Sequence, residues 1–307
     1  MSSQVWGTNS LGGYMFSVNL SRKLRTALQT MVRFRQFCDA KEAFGLGIGD
    51  TFNWNLYSDV ATAGGVLSET QIMPTTNFTI TQASLKIAEY GNSVPFTKKL
   101  DDLSEHPVTE IIHKVLKNDA RKALDTVAYN QFNAAPVRIC STSGSAITVT
   151  TNGTASGTAT NELNNTLVKL IADQLAEGNV PTFDGNNYMA IGRPAHFRTF
   201  KNSLESIHQY TPEGWHVIMN GEKGRYEGIR FVEQTNIPAL GWANTDRMFF
   251  FGSDTVIEAV AIPEEIRGAI PTDFGRSRGV AWYAELGFGI AHTDVPNTRI
   301  YVWDSLG

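Results

Sequence analysis

Residues 104–133 read SEHPVTEIIHKVLKNDARKALDTVAYNQFN and hold the clearest helical pattern in the chain. Val108, Ile111, Ile112, Val115, Leu116, Ala120, Ala123, Leu124, Val127 and Phe132 recur at the spacing of one helical face. Lys114, Lys117, Asp119, Arg121, Lys122 and Asp125 fall on the other side. Pro107 suits a first helical turn, with Ser104 and Glu105 ahead of it. At 1.5 Å per residue such a helix spans roughly 40 Å. The average globular helix has only about 11–12 residues. This one is a spine that other elements hang on, not a local packing unit.

Upstream, residues 45–99 have another rhythm. Gly45, Gly47 and Gly49 open the segment. Phe52, Trp54 and Leu56 then alternate with Asn53 and Asn55, the pattern of a half-buried strand. Gly64-Gly65 supplies a bend, and a second extended run carries Phe78, Ile80, Leu85 and Ile87. A long hairpin is predicted, and a lone hairpin is not stable without a packing partner. Residues 1–21 have no charged side chain and read as an arm. Arg22, Lys23, Arg25, Arg33 and Arg35 follow with no acid before Asp39. Leu20, Leu24, Leu28 and Met31 in the same stretch predict a helix whose basic flanks either meet an acidic neighbour or nucleic acid, or simply face water.

Downstream, residues 141–160 are uncharged and 14 of the 20 are Ser, Thr or Gly, which marks a boundary with room for a short strand at Ile147 and Val149. Leu163, Leu167, Leu170, Ile171 and Leu175 predict a second helix stopped by Gly178 and Pro181. A strand over 188–191, a short helix over 194–203 and a long loop over 204–224 follow. The tail holds strands near 229–232, 248–251, 256–262, 280–290 and 299–303. Helices and strands mix without regular β-α-β alternation, so the class is α+β.

Composition narrows the function. The chain has 307 residues, with 42% hydrophobic and 18% charged side chains and a net charge of −4. Solvated surfaces usually run to about 25–35% charge, so part of this surface is expected to be covered by partners. No global basic excess marks a nucleic-acid binder. Cys38 and Cys140 are too few for a disulfide framework. No run approaches the ~18 apolar residues of a membrane helix, and the start lacks the basic head and apolar block of a signal peptide. Phosphate-loop, nucleophile-elbow and CxxC motifs are missing. Gly45-Leu-Gly-Ile-Gly has Asp50 where a dinucleotide fingerprint needs Gly. His106 and His113 read as a polar surface pair, and Glu264-Glu265 after Pro263 as a turn or helix start. No catalytic, metal or cofactor residue is expected. Trp54 and Trp215 fall in extended or loop regions, where such rings either fill local cores or anchor neighbouring subunits.

The order of parts resembles the major capsid protein of tailed bacteriophages with the HK97-type fold. Gly221-Glu-Lys-Gly-Arg-Tyr-Glu-Gly-Ile-Arg-Phe-Val-Glu-Gln-Thr-Asn-Ile-Pro looks like the family's glycine-spaced turn and strand. Met248-Phe-Phe-Phe-Gly-Ser-Asp and Trp282-Tyr-Ala-Glu-Leu-Gly-Phe-Gly look like its paired late strands. The resemblance implies an N-arm over 1–44 and an E-loop over 45–99. It implies a peripheral domain over 100–160 with return strands at 280–307, and an axial domain over 161–279 whose tip is the 204–224 loop.

It further implies a structural protein, not an enzyme, that assembles into pentamers and hexamers of an icosahedral shell around double-stranded DNA, without sequence specificity. Portal, scaffolding and decoration proteins are implied partners. Arg22, Lys23, Arg25, Arg33, Arg35, Trp54, Gly64, Gly65 and Trp215 become candidate subunit-interface residues. The arm begins almost at Met1, so a separate scaffold or none is expected. Lys86 lies where some members form a crosslink, but its setting does not signal one. The implied location is the virion, assembled in the host cytoplasm. The rivals are an encapsulin-like shell around a cargo enzyme and a soluble α+β enzyme.

Overall fold

A computed structural model of the chain describes residues 28–38, 40–43, 49–60, 64–154, 161–208, 225–238 and 246–305. Two sheets share one long helix. The first sheet contains β1 (Ala40–Ala43), β4 (Ala88–Thr97), β11 (Val256–Gly268) and β12 (Ser277–Ile290), in the order β1-β11-β12-β4. The second contains β5 (Val137–Cys140), β6 (Thr148–Thr150), β7 (Tyr188–Gly192), β8 (Arg225–Tyr226), β9 (Ile229–Glu233), β10 (Asp246–Phe251) and β13 (Ile300–Ser305), in the order β6-β5-β13-β10-β7-β9-β8. The predicted hairpin is β2 (Thr51–Tyr57) paired antiparallel with β3 (Ile80–Lys86). The helices are α1 (Lys98–Leu103), α2 (Val108–Asn133), α3 (Asn165–Glu177) and α4 (Phe197–His208).

α2 is the predicted spine, 26 residues long. Its stripe of Val108, Ile112, Leu116, Ala120, Leu124 and Phe132 is buried. It packs on one face of the four-stranded sheet through Val280, Trp282, Ala284, Leu286 and Phe288, and reaches Phe249 and Phe251 of the other. Each strand of β10 and β12 shows the period of two. Phe249 and Phe251 join the spine core, whereas Met248 and Phe250 point the other way, toward α3 and α4. α3 starts at Asn164, whose side chain accepts the Leu167 N–H at 2.9 Å, and ends at Gly178. Leu163 and Val168 flank that cap in one buried cluster, the arrangement of a hydrophobic staple.

Several expectations fail for identifiable reasons. The helix predicted through Leu28 and Met31 is not formed over the described residues 28–34. There the chain runs as a strap whose alternate N–H groups bond elsewhere: Met31 to Thr235 Oγ1, Arg33 to Gln234 Oε1 and Arg35 to Asp125 Oδ1. Tertiary acceptors replace the helical ones, and Leu28 stands fully exposed. On α2, Asp125, expected on the solvent side, is buried, while Val115 of the apolar set is exposed. The strap covers the helix at Asp125, and among the described residues nothing covers it at Val115. Glu264-Glu265 lies inside β11, not in a turn or helix start, because the strand continues across two register shifts near Ile262. The short helix begins at Phe197 and runs to His208, so it takes up the first part of the expected 204–224 loop.

Candidate assembly surfaces

The hairpin is seated firmly at its base and open at its end. Phe52, Trp54 and Leu56 face one way and are half-buried, as their alternation predicts. Trp54 Nε1 donates to the Ala291 carbonyl at 2.9 Å. Leu85 is buried with Ile257, Ala259 and Ala291, and Phe52, Trp54 and Ile87 pack against that group. The strand beneath carries Gly287 and Gly289. A Cβ at Gly287 would lie 2.6 Å from both Leu85 Cδ1 and the Lys86 carbonyl, and one at Gly289 would lie 2.9 Å from Leu85 Cβ. Glycine is required here because two backbones approach, not because of a turn. The Gly-Phe-Gly inside an apolar strand was the available signal, and sequence reasoning passed over it.

Beyond Tyr57 the two strands part. Eight large apolar side chains between Tyr57 and Ile80 are exposed, among them Val66 at 100%, Ile72 at 90% and Tyr57 at 82%. So many large apolar side chains exposed along one projecting segment mark a surface suited to another molecule. Its charged side chains are Asp59 and Glu69, with no base between residues 57 and 80. A second apolar projection stands at the β11–β12 turn, where Ile270 and Phe274 are exposed. Asp273, Phe274 and Gly275 there take positive φ in succession, which aims the Phe274 ring outward.

On the α2 side of the four-stranded sheet, charged side chains of the helix border two grooves. A groove of about 520 Å³ runs between α2 and β11, walled by His113, Lys117, Arg121, Ile266 and Trp282. Another of about 440 Å³ lies between the strap and α2, bordered by Leu28, Arg33, Arg121 and Lys122. Below them the strap is pinned by a buried carboxylate. Asp125 accepts from the Arg35 N–H at 3.3 Å, Gln234 Nε2 at 2.6 Å and Asn236 Nδ2 at 3.0 Å. Burial pushes the Asp125 carboxyl above its usual range, and these donors oppose the shift. A second buried charge group joins β5, β10 and β13: Asp304 meets Arg138 at 3.2 Å and Arg247 at 3.7 Å. Its burial lowers the Arg138 pKa, against the pull of Asp304. Among the described residues no cluster of His, Cys, Asp and Glu is grouped to hold a metal.

This architecture and its projecting hairpin are matched by a known protein family. The profile of the phage capsid protein family matches residues 80–299. The chain belongs to that family. The fold of this capsid protein is the HK97-type fold, as solved phage shells show. It superposes on the capsid structure of the cyanophage P-SCSP1u with a TM-score of 0.70, 11% identity, and coverage of 94% of this chain and 93% of that one. The capsid of Helicobacter pylori bacteriophage KHP30 gives a TM-score of 0.68 at 10% identity, covering 99% of each chain. The capsid of Ralstonia phage GP4 gives 0.66 at 12% identity, covering 100% and 98%. Sequence comparison with curated proteins returns no significant match. The capsid protein is a structural protein, and the enzyme alternative falls with that membership.

The predicted interface residues are scattered across this capsid protein. Trp54 sits at the hairpin base, bound to its own chain. Gly64 and Gly65 lie in the exposed connection with open space around them. Arg33 is half-buried in the strap. Arg35 is turned inward, pairing with the buried Glu258 at 2.6 Å and with Glu264. Arg22, Lys23, Arg25 and Trp215 lie outside the described residues. Sequence reasoning missed Asp125, Gln234 and Asn236, since nothing local to any of them signals the other two.

Proposed function

We propose that this chain is the major subunit of an icosahedral phage shell, assembling as pentamers and hexamers around double-stranded DNA. The observation that carries the reading is the hairpin. Its base is locked onto the subunit's own sheet, while the described residues of the segment 57–80 include apolar side chains that the described part of the subunit leaves exposed. Such a segment is suited to lie on a neighbouring copy, and a closed shell repeats that contact around each ring. In this assignment the four-stranded sheet with α2 is the peripheral part. The seven-stranded sheet with α3 and α4 is the axial part. It takes in β5, β6 and β13, expected in the peripheral part, while β11, expected in the axial part, joins the four-stranded sheet. The expected tip at 204–224 lies mostly outside the described residues. Portal, scaffolding and decoration proteins would be its partners, with assembly in the host cytoplasm.

The test is assembly. Size-exclusion chromatography of the expressed chain, followed by negative-stain imaging, is expected to show closed shells, rings or tubes. A discrete monomer that never assembles, even with other proteins of the same phage, overturns the proposal. The contents of particles from infected cells separate it from a cargo-enclosing shell: DNA supports the phage reading and a packed enzyme rejects it.

A further inference from the structure

We infer that Asn92 is a self-modification site, where the Ser93 backbone nitrogen closes on the side-chain amide and converts the residue to aspartate and isoaspartate. The step cuts a tie between β4 and the spine helix. It is independent of the shell reading above.

β4 is an edge strand of its sheet, with β12 on one side only. Asn92 and Ser93 lie at its middle, and both are exposed. The Ser93 N–H donates to Asn92 Oδ1 at 2.9 Å, so it points at its neighbour's side chain. The other end of that amide is held as well, because Asn92 Nδ2 donates to Asp119 Oδ2 at 2.8 Å. With both ends fixed, the amide carbon is kept beside the Ser93 nitrogen. Reacting groups held in this way gain rate from lost freedom they no longer have to give up.

The reaction needs water alone. The Ser93 nitrogen loses its proton to solvent and attacks Asn92 Cγ. A new C–N bond closes a five-membered imide, the Cγ–Nδ2 bond breaks, and ammonia leaves. Water then opens the imide at either carbonyl, which gives aspartate or isoaspartate. Nothing is oxidised or reduced.

Two other pairs of the same chemistry are held differently. Asn152-Gly153 has the less hindered nitrogen, because glycine lacks a Cβ. Yet the Gly153 N–H donates to the Pro136 carbonyl at 2.8 Å, and Asn152 Oδ1 accepts from the Thr154 N–H at 3.1 Å. Asn202-Ser203 repeats the Asn-Ser pair inside α4, where backbone N–H groups point along the helix to the carbonyl four residues back.

The modification has a structural consequence. Asp119 Oδ2 also accepts from Trp282 Nε1 at 2.9 Å, so one carboxylate joins β4 and β12 to α2. A carboxylate at position 92 removes the donor and sets a second negative charge against Asp119. Isoaspartate also adds a carbon to the backbone directly opposite Trp282. The edge strand then loosens from the spine.

The test is a timed incubation of the folded full chain at mildly alkaline pH, followed by peptide mapping with mass spectrometry. Conversion at Asn92 is expected to outrun that at Asn152 and Asn202 by about tenfold. In urea the order is expected to change, with Asn152 first. A native Asn92 no faster than Asn202 overturns the inference. An Asp119→Ala variant, checked for folding by circular dichroism, is expected to convert more slowly. Faster conversion there also overturns the inference, since Asp119 would then protect the amide and not aim it. Hydrogen exchange reads the consequence: Asn92→Asp is expected to raise exchange over residues 88–97, as ageing of the wild type does. Unchanged exchange in that variant overturns the loosening of β4.

Discussion

Asp254 shows how single residues hold the turns of this capsid protein. Its backbone has φ of +53°, a conformation that Asp tolerates better than most side chains. Its carboxylate lies 2.9 Å from His292 Nε2 and 3.0 Å from Arg299 Nη1, tying the β10–β11 turn to the loop before β13. The hydrogen bond from His292 does most to hold the carboxyl below its usual range. The Arg299 charge adds to it and partial burial opposes it. A depressed carboxyl stabilises the fold above its unfolded pKa of about 3.9, and that contribution is lost as pH falls through the folded value. Asp254→Asn is therefore expected to cost less than about 1 kcal/mol at pH 6, because the pair is half exposed. The difference from wild type should vanish near pH 2, read from urea midpoints at both values. A difference that persists undiminished there would remove the ion pair as its cause. The turn residues at 252–254 were visible in the sequence, but the partners, about forty positions downstream, were not.

At the scale of elements, hydrophobic periodicity performed well wherever one face met one core. α2, α3, β2 and β12 all lie where their patterns place them, since burial on a single side leaves a clear period in the sequence. β4 and β5 were missed. β4 carries Gly91 and Pro95 inside its span, both unfavourable in strands, and is held by ten consecutive pairings with β12. β5 is only four residues long, with both faces buried, so it has no alternation to detect. The hairpin is the element whose two functions separate most cleanly: its base packs on β12, and the large apolar side chains of its far segment are exposed among the described residues. Deleting roughly residues 58–75 is expected to leave circular dichroism and the thermal midpoint of the monomer nearly unchanged while abolishing assembly. Loss of monomer folding would mean that the segment belongs to the core.

Across the whole molecule, Phe34 is the residue that ties the parts together. Its ring lies 5.4 Å from Tyr129, 5.4 Å from Phe132 and 5.3 Å from Phe249, so the strap, the spine and the second sheet meet at one point. Phe34→Ala is expected to destabilise by about 3–5 kcal/mol, the usual cost of emptying a buried aromatic site. A denaturant midpoint shifted by less than a third of that would show that the strap is dispensable. Arg33 and Arg35 illustrate where sequence reading stops: both sit in a basic run that reads as an outward arm. Yet Arg35 turns inward to a carboxylate more than two hundred positions away. The low overall charge, 18%, did point to covered surface, and the apolar hairpin segment is one place where that surface lies. By itself the sequence determined the class, the spine, the hairpin and the family resemblance, because each depends on local periodicity or on the order of parts. Only the tertiary structure decided that the strap is extended, that Asp125 is buried and that hairpin and spine occupy opposite faces. Those outcomes depend on which distant backbones approach, and no local pattern encodes that.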